Sequence, residues 1–397
     1  MRTHFSKALF LLAAAIACGG SESISPLPPP PLAPALESVN FALLGSGKVA
    51  FERIGPAATP YNVIYVVDAT AGHSSQLLDN TVTWGSALSP DGKRVAYGAY
   101  STLGNKWDVY VANVDGTARS KITHFFSQGP PSWTADGARI VVASSPSSGS
   151  IFDVWSQSAV ATAADLTQHT HFSTPPGGSV TCPIIMDATS KVSVSAQGLL
   201  SFACFTADID VLSASGTLLS SYQPPRVDLQ HWPNVFAPEW SPDGTKIAFI
   251  ETTSNRDAGL LVSTYALRLM NADATNLTTL ASVSLPPSAG VQAGGGWSGP
   301  NNMSVCWMPD GSRLVFVIPE STLVGHIWVV RADGTGLAQL TSAPGVYDRS
   351  VSCSAGCSTP ENRGTLLATV KRMASFRSRS CFAHHFSPLL SLQSLPR

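Results

Sequence analysis

Glu239-Trp240-Ser241-Pro242-Asp243-Gly244-Thr245-Lys246-Ile247-Ala248-Phe249 is the stretch that decides the fold. Asp-Gly supplies the φ > 0 positions of a tight hairpin turn. The residues on either side alternate in character over four to six positions, which is strand periodicity. The segment therefore reads as strand, turn, strand. It also recurs. Ala87 to Tyr97, Ser132 to Val142 and Cys306 to Phe316 align with it, their turns centred on Asp91-Gly92, Asp136-Gly137 and Asp310-Gly311. Ser46 to Phe51 and Ala196 to Phe202 are weaker copies.

Each copy is followed by a second half. Asp108 to Gly116 runs on to Lys121-Ile122-Thr123, and Ile327 to Gly334 runs on to Gln339-Leu340-Thr341. Leu267 to Ala274 with Leu277 to Leu280 repeats the pattern. Four antiparallel strands in about 40–50 residues make one propeller blade. One blade cannot cover both of its own faces, so neighbours must, and the fold is expected to close as a ring. The repeat resembles the WD-like Pro-Asp repeat of the TolB-like propellers, over residues 40–341. That resemblance implies an all-β propeller of six four-stranded blades, and six copies are present. A seven-bladed ring with a degenerate last blade is the alternative. TolB itself carries an α/β domain before its propeller. The stretch between Cys18 and Asn40 is too short to hold one, so the resemblance does not extend to a role in the Tol system.

The N-terminal residues read as an export signal over 1–17. Arg2 and Lys7 precede an apolar run from Ala8 to Ala17, too short for a membrane span. Ala15-Ile16-Ala17-Cys18 matches a bacterial lipobox, which implies cleavage before Cys18 and lipidation of its thiol. An ordinary secretory signal is the alternative. Residues 18–39 then form a tether. Its Ser25 to Ala35 segment, SPLPPPPLAPA, favours stiff polyproline II. The expected location is periplasmic or at the outer membrane, with the lipid as membrane anchor.

Of 397 residues, 44 % are hydrophobic and only 12 % charged, and the net charge is −1. That balance argues against nucleic acid as a partner. The charge is uneven. Residues 18–341 hold 15 Lys+Arg against 23 Asp+Glu, whereas 342–397 hold seven against two. The basic segment 342–397 lacks a recognisable blade. It reads as a decayed or disordered extension, or as the product of a frame error that replaces a seventh blade. Without Cys18 six cysteines remain, an even number compatible with disulfides in an oxidising compartment. Cys182 and Cys204 are the first candidate pair, because they would share a blade.

Function is expected on the face that gathers the long loops between strands 2 and 3 and between successive blades. The loop Pro224–Pro238 is the richest, with Arg226, Asp228, His231, Trp232 and Phe236, an aromatic anchor beside a cation. Trp297 and Asn301 lie in a second such loop. Trp133, Trp240 and Trp307 are read as core between blades, and the four turn aspartates as turn formers. His169-x-His171 has no evident third metal ligand, so no metal and no cofactor are expected. GxSxG, HExxH and phosphate-loop motifs are missing. The expected function is non-catalytic capture of a protein or glycan of the cell envelope. A carbohydrate-active lyase or other hydrolytic enzyme is the alternative, with His169, His171 and His231 as its loop histidines.

Overall fold

In the computed structural model the chain divides into two units, Met1–Cys357 and Ser358–Arg397. The structure describes residues 39–354 apart from 56–62, 79–82, 102–105, 123–126, 146–152, 161–164, 173–190, 205–207, 226–227, 229–230, 256–260, 288–289, 291–302 and 322–323. The export signal, Cys18 and the proline-rich tether lie outside these residues.

Apart from one 3-10 turn at Phe41–Leu43, the regular structure of the described residues is strand, in antiparallel groups that follow the sequence repeats. One sheet contains β4 (Thr83–Leu88), β5 (Arg94–Ser101), β6 (Lys106–Asn113) and β7 (Ser120–Lys121). The next contains β8 (Ser127–Gln128), β9 (Ser132–Trp133), β10 (Arg139–Ser145), β11 (Asp153–Ser158) and β12 (Thr167–Gln168). A third contains β13 (Ser193–Val194), β14 (Leu200–Ala203), β15 (Ile209–Leu212) and β16 (Leu218–Tyr222). The fourth contains β17 (His231–Trp240), β18 (Lys246–Asn255), β19 (Leu261–Asn271) and β20 (Thr278–Ser284).

The fifth sheet has eight strands. It joins β21 (Val305–Trp307), β22 (Arg313–Pro319), β23 (Gly325–Arg331) and β24 (Ala338–Gln339) to β25 (Tyr347–Ser354), β1 (Lys48–Ile54), β2 (Val63–Asp68) and β3 (His73–Leu78). The sequence count of six or seven separate blades is therefore not reproduced by the hydrogen bonding. Four sheets stand as blades, and a single parallel pairing, Gly325↔Tyr347, fuses the remaining strands into one sheet. A second correction concerns the boundary. The sequence reading ended the propeller at Thr341, yet β25 lies beyond it and pairs with β1 near the other end of the chain.

The turns form as the sequence dictates. Ser241 Oγ donates to Asp243 Oδ1 (2.6 Å), the Thr245 N–H donates to the same oxygen (3.0 Å), and Gly244 sits at φ 70°. Ser89 with Asp91 and Thr134 with Asp136 repeat the bond at 2.6 Å. These bonds hold the Asp136 and Asp243 carboxyls below their ordinary range. At Asp91, partial burial opposes the shift, and the bonds from Ser89 and the Lys93 N–H outweigh it.

The strands are more apolar than simple alternation requires, because both faces are covered. Along β18, Ile247 and Phe249 pack with Val211 and Val235, while Ala248 and Ile250 pack on the other face with Val305 and Phe316. β10 divides in the same way between clusters that contain Val111 and Phe202, and β22 between clusters that contain Tyr265 and Phe51. Period-2 side-chain alternation thus feeds two seams per strand. Stacked four-stranded sheets with a core in every seam are a β-propeller.

Candidate functional site

The innermost strands touch in the order β4, β9, β13, β17, β21, β25, and β25 returns to β4. Where they reach the Asp-Gly turns, their ends surround one cavity of about 270 Å³. The void comes from side-chain size. The residue before the repeat Trp position lines it from every inner strand: Ala87, Ser132, Ser193, Glu239, Cys306 and Ser352. Five of these are small, and Glu239 is the exception. Among the described residues lining the cavity, Lys191 and Glu239 carry the charge. Lys191 Nζ lies 2.8 Å from Glu239 Oε2, and the two side chains are 15 % and 22 % exposed. Trp133, Trp240 and Trp307 complete the wall.

The same slot recurs at the seams between these strands. The Trp133 indole N–H donates to the Ala87 carbonyl (2.9 Å) and that of Trp307 to the Glu239 carbonyl (3.2 Å). The Trp240 backbone N–H donates to Ser193 Oγ (3.3 Å) and the Leu88 backbone N–H to Ser352 Oγ (2.9 Å). Between β21 and β25 the slot holds a disulfide, Cys306–Cys353, with Cα atoms 5.5 Å apart. The three tryptophans are each less than 10 % exposed, in accord with their reading as inter-blade core.

The seam that joins the two chain ends carries a further device. Glu52 faces Arg349 and Arg53 faces Asp348 across the β1–β25 pair. Arg53 Nε and Nη2 donate to the two Asp348 oxygens at 2.6 and 2.9 Å. Arg349 Nε donates to Glu52 Oε2 (3.1 Å) and its Nη2 to the Thr83 carbonyl (3.0 Å). All four side chains are buried. Burial raises the Glu52 carboxyl, and the Arg349 charge opposes that shift.

Of the sequence-derived candidates, Asp228, His231, Trp232 and Phe236 fall on described residues. Arg226, Trp297 and Asn301 lie outside the described residues. Asp228 is exposed and accepts the His231 N–H at 2.7 Å, with the His231 ring Nδ1 2.8 Å from its other oxygen. His231, Trp232 and Phe236 were expected in a loop. They stand instead on β17, because that strand starts at His231. Phe236 packs against the seam core between β18 and β22. His169 spends both ring nitrogens within the fold, on the Ala214 carbonyl (2.8 Å) and Ser156 Oγ (2.9 Å), while His171 is exposed. Cys204 is disulfide-bonded, and Cys182, its expected partner, lies outside the described residues. Cys306–Cys353 was not foreseen, because its cysteines belong to different repeats.

No protein-family model matches this chain, and no curated protein matches it. Solved structures do. TolB from Acinetobacter baumannii superposes with a TM-score of 0.56 at 18 % identity, over 78 % of this chain and 66 % of that one. Hydrazine synthase from Kuenenia stuttgartiensis gives a TM-score of 0.53 at 12 % identity, over 79 % of this chain and 47 % of that one. The putative TolB from Agrobacterium tumefaciens gives 0.47 at 13 % identity, over 78 % and 99 %. This chain thus spans less than two thirds of each of the first two proteins. At such identities the likeness concerns architecture, and this chain has the fold of the TolB-like β-propellers.

Proposed function

We propose that this chain is a non-catalytic interaction propeller of the bacterial cell envelope, anchored by lipid at Cys18, that binds a protein partner at the turn-end mouth of its central cavity. The observation that carries the reading is the convergence of the inner-strand ends on one cavity containing a Lys–Glu pair. The lipobox and the tether support the location. The absence of hydrolase, metalloprotease and phosphate-loop motifs supports binding over chemistry. A glycan partner is the alternative.

We read the eight-stranded sheet as two blades, which makes the ring six-bladed. Six hydrophobic clusters, each shared by successive strand groups, support this count. In that ring β25 supplies the inner strand of a blade whose other strands come from the start of the propeller.

Two experiments test the proposal. Cys18→Ala should abolish incorporation of a fatty-acid analogue and release the protein from membranes; labelling that survives refutes the anchor. A photo-crosslinking residue at Ala135 or Ala196, on the cavity rim, should capture one discrete partner in intact envelopes. The same residue at Asp228 should not. Capture from Asp228 alone would move the site to the long-loop end of the ring.

A further inference from the structure

We infer that the cavity receives a single cationic group, an ammonium or guanidinium, and that Lys191 is a built-in occupant of that site in the free protein. The inference rests on the cavity mouth being the binding surface. Two observations lead to it.

The first is the pair itself. Among the described residues lining the cavity Glu239 is the one acidic side chain, and Lys191 Nζ sits 2.8 Å from it. Lys191 lies just before β13 and Glu239 on the neighbouring inner strand β17, 48 residues apart in sequence. The geometry therefore already accepts a primary ammonium at Glu239, delivered from within the chain.

The second is the wall. Trp133, Trp240 and Trp307 surround the same space. Such walls cover the aliphatic stem of a long basic side chain, and Trp133 already takes a cation on its ring from within the chain, the Arg94 guanidinium at 4.7 Å. A cavity of about 270 Å³ holds one such side chain. It is smaller than the roughly 300–1,000 Å³ typical of sites for drug-sized ligands.

Binding is then an exchange. The partner's cation takes the Glu239 carboxylate, and Lys191 swings out toward solvent. No bond is made or broken beyond the ion pair. This exchange lowers apparent affinity by the fraction of molecules in which Lys191 has vacated Glu239.

The test uses the mature protein and reads tryptophan fluorescence, since three tryptophans line the cavity. The probe is Nα-acetyl-lysine methylamide. Its norleucine analogue is the uncharged control, and glycine methylamide presents a free N-terminal ammonium instead of a side chain. The lysine probe should bind and the norleucine analogue should not. A stronger response to glycine methylamide would name a chain terminus as the source of the cation. Lys191→Met should tighten the lysine probe about tenfold if the self-occupied state fills about nine molecules in ten. Glu239→Gln, which keeps shape and the carbonyl that Trp307 uses, should abolish binding. Wild-type binding should weaken with added salt, a readout that does not depend on either variant folding.

Equal binding of the norleucine analogue, retained binding in Glu239→Gln, or weaker binding in Lys191→Met would each overturn the inference. The last result would mean that Lys191 itself contacts the ligand, which would then be anionic. Partner crosslinking at Ala135 without any response to the cationic probes would reject the ligand class and leave the binding surface standing. Probe binding combined with crosslinking only at Asp228 would do the reverse.

Discussion

The Cys306–Cys353 disulfide makes a quantitative prediction about ring closure. It ties β21 to β25, the strand whose partner, β1, comes from the other end of the propeller. The bonded cysteines are 47 residues apart. Removing a cross-link over that separation returns loop entropy to the unfolded chain, worth about 4 kcal/mol at 25 °C. The perturbation is Cys306→Ala with Cys353→Ala, which spares the disulfide at Cys204. At roughly 2 °C per kcal/mol for a domain of this size, the melting temperature should fall by about 8 °C. Thermal and urea unfolding followed by tryptophan fluorescence measure it. Alkylation of the native parent should leave both thiols unlabelled until reductant is added. A double variant within about 1 kcal/mol of its parent, or labelling without reductant, would refute the claim that the ring is covalently closed at this seam.

The paired charges of β1 and β25 predict a coupling. Asp348→Ala leaves the buried Arg53 guanidinium without its carboxylate and should cost about 3–5 kcal/mol, whereas Arg53→Met with Asp348→Leu should be close to neutral; urea midpoints for the two would be equal if the pair were unimportant. Gly244→Val should destabilise more than Ser254→Val. Gly244 has φ +70°, and a Cβ there would lie 2.0 Å from Gln197 Oε1, while Ser254 is buried with an unpaired hydroxyl that Val would replace. Melting curves decide it, and Gln197→Ala should rescue only the clash and not the backbone strain. The lowered carboxyls of Asp136 and Asp243 contribute stability that is present above their unfolded-state pKa and lost as pH falls through their lower folded-state values. Ser241→Ala removes the hydroxyl bond, so it should raise the Asp243 pKa and start acid unfolding at higher pH, as read by NMR titration and far-ultraviolet dichroism.

The repeat, the turns and the strand character were legible in the sequence because they are local. Ser241, Asp243, Gly244 and Thr245 satisfy one another within five residues, so their spacing specifies the hairpin wherever it occurs. The burial of Trp133, Trp240 and Trp307 was legible for the same reason, since each occupies a fixed place in its repeat. Lys191 and Glu239 were not. They meet across a seam, 48 residues apart; Glu239 holds a fixed place in its repeat, but nothing in that repeat points to Lys191 as its partner. The loop placement of His231, Trp232 and Phe236 differed for a related reason: β17 begins at His231, and strand pairing with β18 converted part of a presumed loop into sheet.

Composition and spacing alone settled that the chain is built from short antiparallel strands joined by Asp-Gly turns, because backbone conformation at a turn is fixed by its own few residues. Where the ring closes was decided by tertiary structure. Glu52 and Arg349, Arg53 and Asp348, and Cys306 and Cys353 join residues far apart in the chain, and only the closed ring brings each pair together. Tertiary structure also chose the cavity, since a void at the ring axis depends on the side chain that each inner strand contributes, and no single repeat contains that information.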